Sequence, residues 1–160
     1  MSTAVAVKFV GAIGEKFAPA FEADEDEGQS LLMNYLECWC EAVCDLEGEG
    51  DFPDKFKATL KEADFDESFF KDTGDAASDF VEELCHDVDN NEDLKEVTDD
   101  MDPEGQMPLG YMTKMCQAFS KAVMDADGDS DAFEKGFDEA KKEVNEGFKE
   151  TVEQLKAGGF

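Results

Sequence analysis

Apolar residues recur at helical spacing along most of the chain. Phe9, Ile13, Phe17 and Phe21 stand four apart with Val10 beside them, which predicts a helix over 4–21. Pro19 near its end predicts a kink or a stop. The carboxylate run 22–28, closed by Gly28, predicts a break. Ser30 then caps a helix over 30–44 that carries Trp39 and three cysteines. A loop over 45–53 follows. Pro53 suits the first turn of the next helix, which Phe56 and Leu60 line. Phe65, Phe69 and Phe70 anchor a short turn or helix over 65–76, and Thr73-Gly74-Asp75 predicts another break. Beyond it, Phe80, Val81, Leu84 and Cys85 predict a helix over 76–86. An acidic turn over 87–94, a short helix over 93–98 and a second acidic turn over 99–105 come next. Helices over 108–124 and 132–157 complete the chain. The last places Phe133, Phe137, Val144, Phe148, Val152 and Leu155 along one side and ends at Gly158-Gly159. No segment alternates with period two, so the predicted fold class is all-α.

One acidic phrase is written twice. Ala42-Val43-Cys44-Asp45-Leu46-Glu47-Gly48-Glu49-Gly50-Asp51-Phe52 returns as Ala122-Val123-Met124-Asp125-Ala126-Asp127-Gly128-Asp129-Ser130-Asp131-Ala132-Phe133. Upstream, Leu31, Leu32, Tyr35, Leu36, Trp39 and Val43 match Tyr111, Met112, Met115, Cys116, Phe119 and Val123. Downstream, Phe52 and Phe56 match Phe133 and Phe137. The match predicts two duplicated halves, 1–74 and 75–160, each built on helix–loop–helix units.

Alternating carboxylates on a short loop suit a hard cation, which takes six to eight oxygen ligands. Asp45, Glu47, Glu49 and Asp51 have that spacing, with Gly50 for the turn and Phe52 as the apolar anchor. Asp125, Asp127, Asp129 and Asp131 repeat it, with Ser130 in the glycine place. Asp87, Asp89 and Asn91 form a third stretch. Asp100, Asp102, Glu104 and Gly105 form a fourth, followed by Pro108. These stretches resemble the EF-hand loop, and the chain resembles a divergent EF-hand protein of the calmodulin and sarcoplasmic calcium-binding kind. The resemblance implies an intracellular calcium buffer or sensor, with magnesium as the other candidate ion. It also departs from the family. The closing bidentate Glu of the twelfth loop position is replaced by Phe56, Gly136, Thr98 and Tyr111. Glu134, two residues early, is a substitute ligand for the 125 stretch. For each stretch the alternative is a solvated turn whose Asp caps the next helix.

Composition narrows the partners. The net charge is −28 over 160 residues, and every basic residue is Lys. That field repels nucleic acid, and the absence of Arg removes bidentate grips on phosphate. Cations, a basic amphipathic peptide or a basic protein surface are the expected partners. Fourteen Phe and 41 % hydrophobic residues supply a core that disordered acidic tails lack. Self-repulsion at this charge requires screening, by bound divalent cations or by high salt. A helical domain acidic only for solubility in a halophile is therefore an alternative reading. So is a non-catalytic interaction protein whose loops no longer hold metal. No run is long enough to span a bilayer, no secretory leader is recognisable, and five cysteines are odd in number, so the expected location is a reducing cytoplasm. Cys38, Cys40 and Cys44 with Cys85-His86 could form a soft-metal site, against the alternative of core or surface thiols. His86 is the only His and no nucleophile motif accompanies it, so no enzyme activity is expected. The methionines of the second half, Met112, Met115 and Met124 among them, are core or the lining of an adaptable groove.

Overall fold

The computed structural model describes residues 3–46, 51–92, 106–126 and 128–158. Among them there are no strands, and six helices of 11 residues or more: α1 (Thr3–Ala23), α2 (Glu25–Cys44), α3 (Phe52–Glu62), α4 (Glu67–Asp89), α5 (Gln106–Ala126) and α6 (Ser130–Ala157). The all-α expectation holds. The short helix over 93–98 and the turn over 99–105 lie outside the described residues.

Two boundaries differ from expectation, each for a local reason. The break expected over the acidic run 22–28 is confined to one residue. Asp24 alone separates α1 from α2, in an extended conformation, and its Oδ1 accepts from the backbone N–H of Asp26 and Glu27 at 3.0 and 3.3 Å. Glu25, Asp26 and Glu27 then fill the first turn of α2, where the helix dipole favours negative charge. Gly28 is buried inside α2. A Cβ there would come within 3.0 Å of the backbone of Phe21, so the glycine lets the two helices meet at close range. Pro19 is accommodated within α1.

The second difference is the expected break at Thr73-Gly74-Asp75, which lies within the unbroken α4. Both Thr73 and Gly74 are buried. The Thr73 hydroxyl bonds the carbonyl of Phe69 and pairs with the Tyr35 hydroxyl at 2.5 Å, while Gly74 leaves room for the Phe70 ring. Residues that read as turn formers are here contact formers.

The helices pack in a pattern that survives exchange of the first three for the last three. α1 packs on α4, and α2 on α5. α1 packs on α2 as α4 does on α5; α2 on α3 as α5 does on α6; and α3 on α4 as α6 does on α1. The residues follow the same exchange. Ala6, Phe9, Val10 and Ile13 of α1 answer Ala77, Phe80, Val81 and Leu84 of α4, and seven of these eight are buried. Phe52 and Phe56 stack at the start of α3 with centroids 5.3 Å apart, and Phe133 and Phe137 stack in α6 at 5.5 Å.

At the centre, Phe9, Trp39, Phe80 and Phe119 come from four different helices. All six pairs among these rings are in contact, with centroid separations from 4.7 to 6.0 Å. Each ring is fully buried, and each pair adds about 0.5–1.5 kcal/mol beyond its buried area. Phe9–Trp39 and Phe80–Phe119 are equivalent edge-on contacts at 5.4 and 4.7 Å. At the margin of the core, Lys16 ties α1 to α4. Its Nζ donates to Ser68 Oγ at 2.7 Å and to Asp72 at 3.0 Å, over the Phe69 ring.

Trp39 stands where the second half has Phe119, and its indole N–H has no acceptor among the described residues. An unmet buried donor costs about 1–3 kcal/mol. Trp39→Phe removes both the donor and some volume, and is expected to change stability by less than about 1.5 kcal/mol. Trp39→Ala is expected to cost about 3–5 kcal/mol. Urea denaturation followed by helicity distinguishes the two.

Candidate functional site

The acidic stretches are distributed over helix ends. Asp125 lies inside the last turn of α5, Gly128 takes a positive φ of 86°, and Ser130 already begins α6. The left-handed residue of this turn is therefore Gly128, two positions before the Ser130 expected to make the bend. Asp129 is the N-cap of α6, its Oδ1 accepting from the N–H of Asp131 and Ala132 at 2.9 and 3.3 Å. Asp131 and Glu134 lie on the first two turns of α6, exposed. Asp127 lies outside the described residues.

In the first half, Asp45 is the C-cap of α2, its N–H bonded to the carbonyl of Glu41. Asp51 precedes α3 without a side-chain cap bond; Glu47 and Glu49 lie outside the described residues. Asp87 and Asp89 belong to the last turns of α4, which runs past the loop expected at 87, and Asn91 lies in the turn after it. Asp87 is half-buried and faces Tyr111 of α5. Burial, with the Asp87 charge second, pushes the Tyr111 hydroxyl up to about 12. Among the described residues, no three His, Cys, Asp or Glu side chains converge as a group able to hold a metal ion.

The thiols gather differently from the expected set. α2 and α5 run past each other so that Cys40 Sγ meets Ser120 Oγ at 3.6 Å and Cys44 Sγ meets Thr113 Oγ1 at 3.3 Å. Cys116 lies between Thr113 and Ser120 on the same face of α5, fully buried. Burial pushes its thiol well up, and the neighbouring Cys40, Cys44 and Cys85 push it further. Cys40 is held below the usual thiol range, first by its hydrogen bond with Cys116 and then by Ser120, against the opposing effect of burial. Cys38 is apart from them. It donates to the carbonyl of Thr59 at 3.5 Å, and burial pushes it up to about 11. All five cysteines are free. The sequence expectation thus included Cys38, which stands elsewhere, and left out Cys116, which sits at the centre.

An apolar cleft of about 440 Å³ between α1, the start of α2 and the turn from α5 to α6 has the shape of a binding site. Val10, Ile13, Phe17 and Phe21 of α1, Leu32 of α2, and Val123 and Met124 of α5 line it, with Glu22, Glu25 and Asp129 at its rim. Gly14 lines it without a side chain. A Cβ built there would meet nothing within 4 Å. Its volume is in the range of pockets that enclose a small organic molecule. No lysine lines it, and neither Glu22 nor Glu25 is paired with one among the described residues. The periodicity of α1 marked Phe17 and Phe21 as core, but nothing in that pattern distinguishes a covered face from an open one. The small residues Gly11 and Gly14 beside it were the available signal.

No protein family, curated protein or solved structure matches this chain. Among the described residues, no helix is long and apolar enough to cross a membrane.

The paired thiols make a prediction independent of the cleft. Iodoacetamide at neutral pH is expected to alkylate Cys40 before Cys38 and Cys116, read by peptide mass spectrometry. A thiol held low is reactive thiolate at lower pH, so Cys116→Ala, which removes the largest support, moves the Cys40 reaction profile to higher pH. An unchanged profile in that variant means the pair does not act on Cys40.

Proposed function

We propose that this chain is a non-catalytic binding protein that takes an apolar, positively charged partner in the cleft between α1, α2 and the α5–α6 turn. One observation carries the reading: apolar walls open to solvent beneath a rim of carboxylates. Elsewhere among the described residues Met33 is the exposed large hydrophobic side chain. A basic amphipathic segment and a basic protein surface belong to the partner class that such a cleft suits. The net charge of −28 would steer such partners toward it from a distance, an effect that weakens as salt rises. We also infer that the halves arose by duplication. The exchange of α1–α3 with α4–α6 supports this, and it moves the implied seam from residue 74 to the turn at 63–66. Five free thiols suit a reducing compartment such as the cytoplasm.

The test is occlusion. Gly14→Leu adds a side chain over open space and a better helix former, so the fold is expected to persist with unchanged or higher melting temperature. A neutral solvatochromic dye such as Nile red is expected to bind the native chain and to lose about tenfold in affinity in this variant. Gly147→Leu, also directed into open space but on α6 and outside the cleft lining, leaves uptake unchanged. Equal dye uptake by all three proteins sinks the reading.

Calcium binding by an EF-hand-like protein, with magnesium as competitor, is the second reading. It is favoured by the matching places of the stretches 45–51 and 125–131, each joining the second and third helix of its half. Ligation there competes with the capping role of Asp129 at the start of α6, so uptake is expected to be weak and to change helicity. Calorimetric titration with calcium, magnesium and sodium tests it. The absence of both heat and a helicity change at millimolar calcium removes this reading, and stability that rises equally with every salt leaves acidity as a solubility device.

A further inference from the structure

The cleft has dimensions as well as polarity. Its α1 wall runs from Val10 to Glu22, which is about 18 Å of helix. Its volume of about 440 Å³ lies toward the low end of the range for pockets that enclose a small molecule, and the length of the α1 wall suits an elongated one. Its walls supply aliphatic and aromatic contacts along that length, with the adaptable thioether of Met124 among them. Glu22 and Glu25 flank the α1–α2 turn at one end, and Asp129 stands on the α5–α6 side. Asp129 already spends one oxygen on capping α6, which leaves the Glu22 and Glu25 carboxylates as the pair free to meet a charge.

Given the cleft as the binding site proposed above, we propose that it takes a single-chain aliphatic amine or quaternary ammonium compound, the chain lying along α1 and the cationic head between Glu22 and Glu25. A fatty acid of the same length fits the walls but brings its carboxylate against this rim, and a fatty alcohol fits the walls without the attraction. Like-charge contact at the rim is the discriminating element.

Calorimetry with twelve-carbon probes, each kept below its micelle-forming concentration, tests the proposal on the full chain. Dodecyltrimethylammonium is expected to bind saturably at one site, at least tenfold tighter than dodecanol and dodecanoate. Gly14→Leu is expected to weaken it at least tenfold, while Gly147→Leu on α6 does not. The pair Glu22→Gln and Glu25→Gln is expected to cost about tenfold. Glu150→Gln with Glu153→Gln, exposed on α6, makes the same change in net charge and is expected to cost almost nothing. Far-ultraviolet circular dichroism checks that each variant is folded. Binding that ignores Gly14→Leu, or falls equally with either glutamate pair, is attraction to overall charge and overturns the proposal. Equal affinity for dodecanol overturns it as well. A basic amphipathic peptide that binds in a Gly14-dependent way while the ammonium probe does not overturns the chain-shaped ligand yet keeps the cleft as a partner site. If no probe is sensitive to Gly14→Leu, both fall.

Discussion

Four aromatic rings share one volume at the centre of the bundle, and four of the six helices meet through them. Phe9, Trp39, Phe80 and Phe119 bring α1, α2, α4 and α5 together. α6 then docks on the tetrad through Phe133 and Phe137 against Phe119, and α3 joins through Phe56 against Tyr35 of α2. A chain with a net charge of −28 repels itself in the compact state. Apolar contact is the term that opposes this, and it is concentrated in a centre where no ring is exposed. The acidic side chains are left to the periphery, where Asp24, Asp66 and Asp129 satisfy the orphan N–H groups of three helix starts.

The symmetry of the packing is not matched by symmetry of the side chains, and the differences fall where chemistry is available. In register with the core matches, Gly14 of α1 corresponds to Cys85 of α4, and Met124 of α5 to Cys44 of α2. The first members of these pairs border the open cleft; the second belong to the neighbours of Cys116. One architectural place therefore carries an apolar recess in one half and thiols in the other. The thiol pair follows the same logic. Cys40 and Ser120 are equivalent residues facing each other across the contact of α2 with α5, so a single difference between the halves turns a hydroxyl into a nucleophile beside its hydrogen-bonding partner.

Periodicity made the helices legible because their buried stripes are long. Phe133 through Val152 could be nothing but one face of a helix, and Pro53 at the start of α3 was recognisable from its fixed φ. The acidic segments were harder, because Asp serves loop, cap and ligand alike. Asp24 reads as part of a loop until its carboxylate is seen bonded to two N–H groups. Gly28 and Gly74 read as breaks, yet each is a point of close approach to a phenylalanine, a long-range or cross-turn demand that local sequence does not state. The correspondence of Ala6, Phe9, Val10 and Ile13 with Ala77, Phe80, Val81 and Leu84 was present in the sequence, at a different offset from the acidic phrase. The cleft was the least legible feature, since it depends on what fails to cover α1 rather than on any residue in it.

The chain has one tryptophan, and it stands in the ring cluster where α1, α2, α4 and α5 meet, shielded from water. No other indole contributes to the emission. Any rearrangement that parts one half from the other must pull at least one ring away from Trp39 and admit solvent to it. The protein thus carries a built-in fluorophore at its centre, whose emission maximum reports the integrity of the contact between the halves without any label.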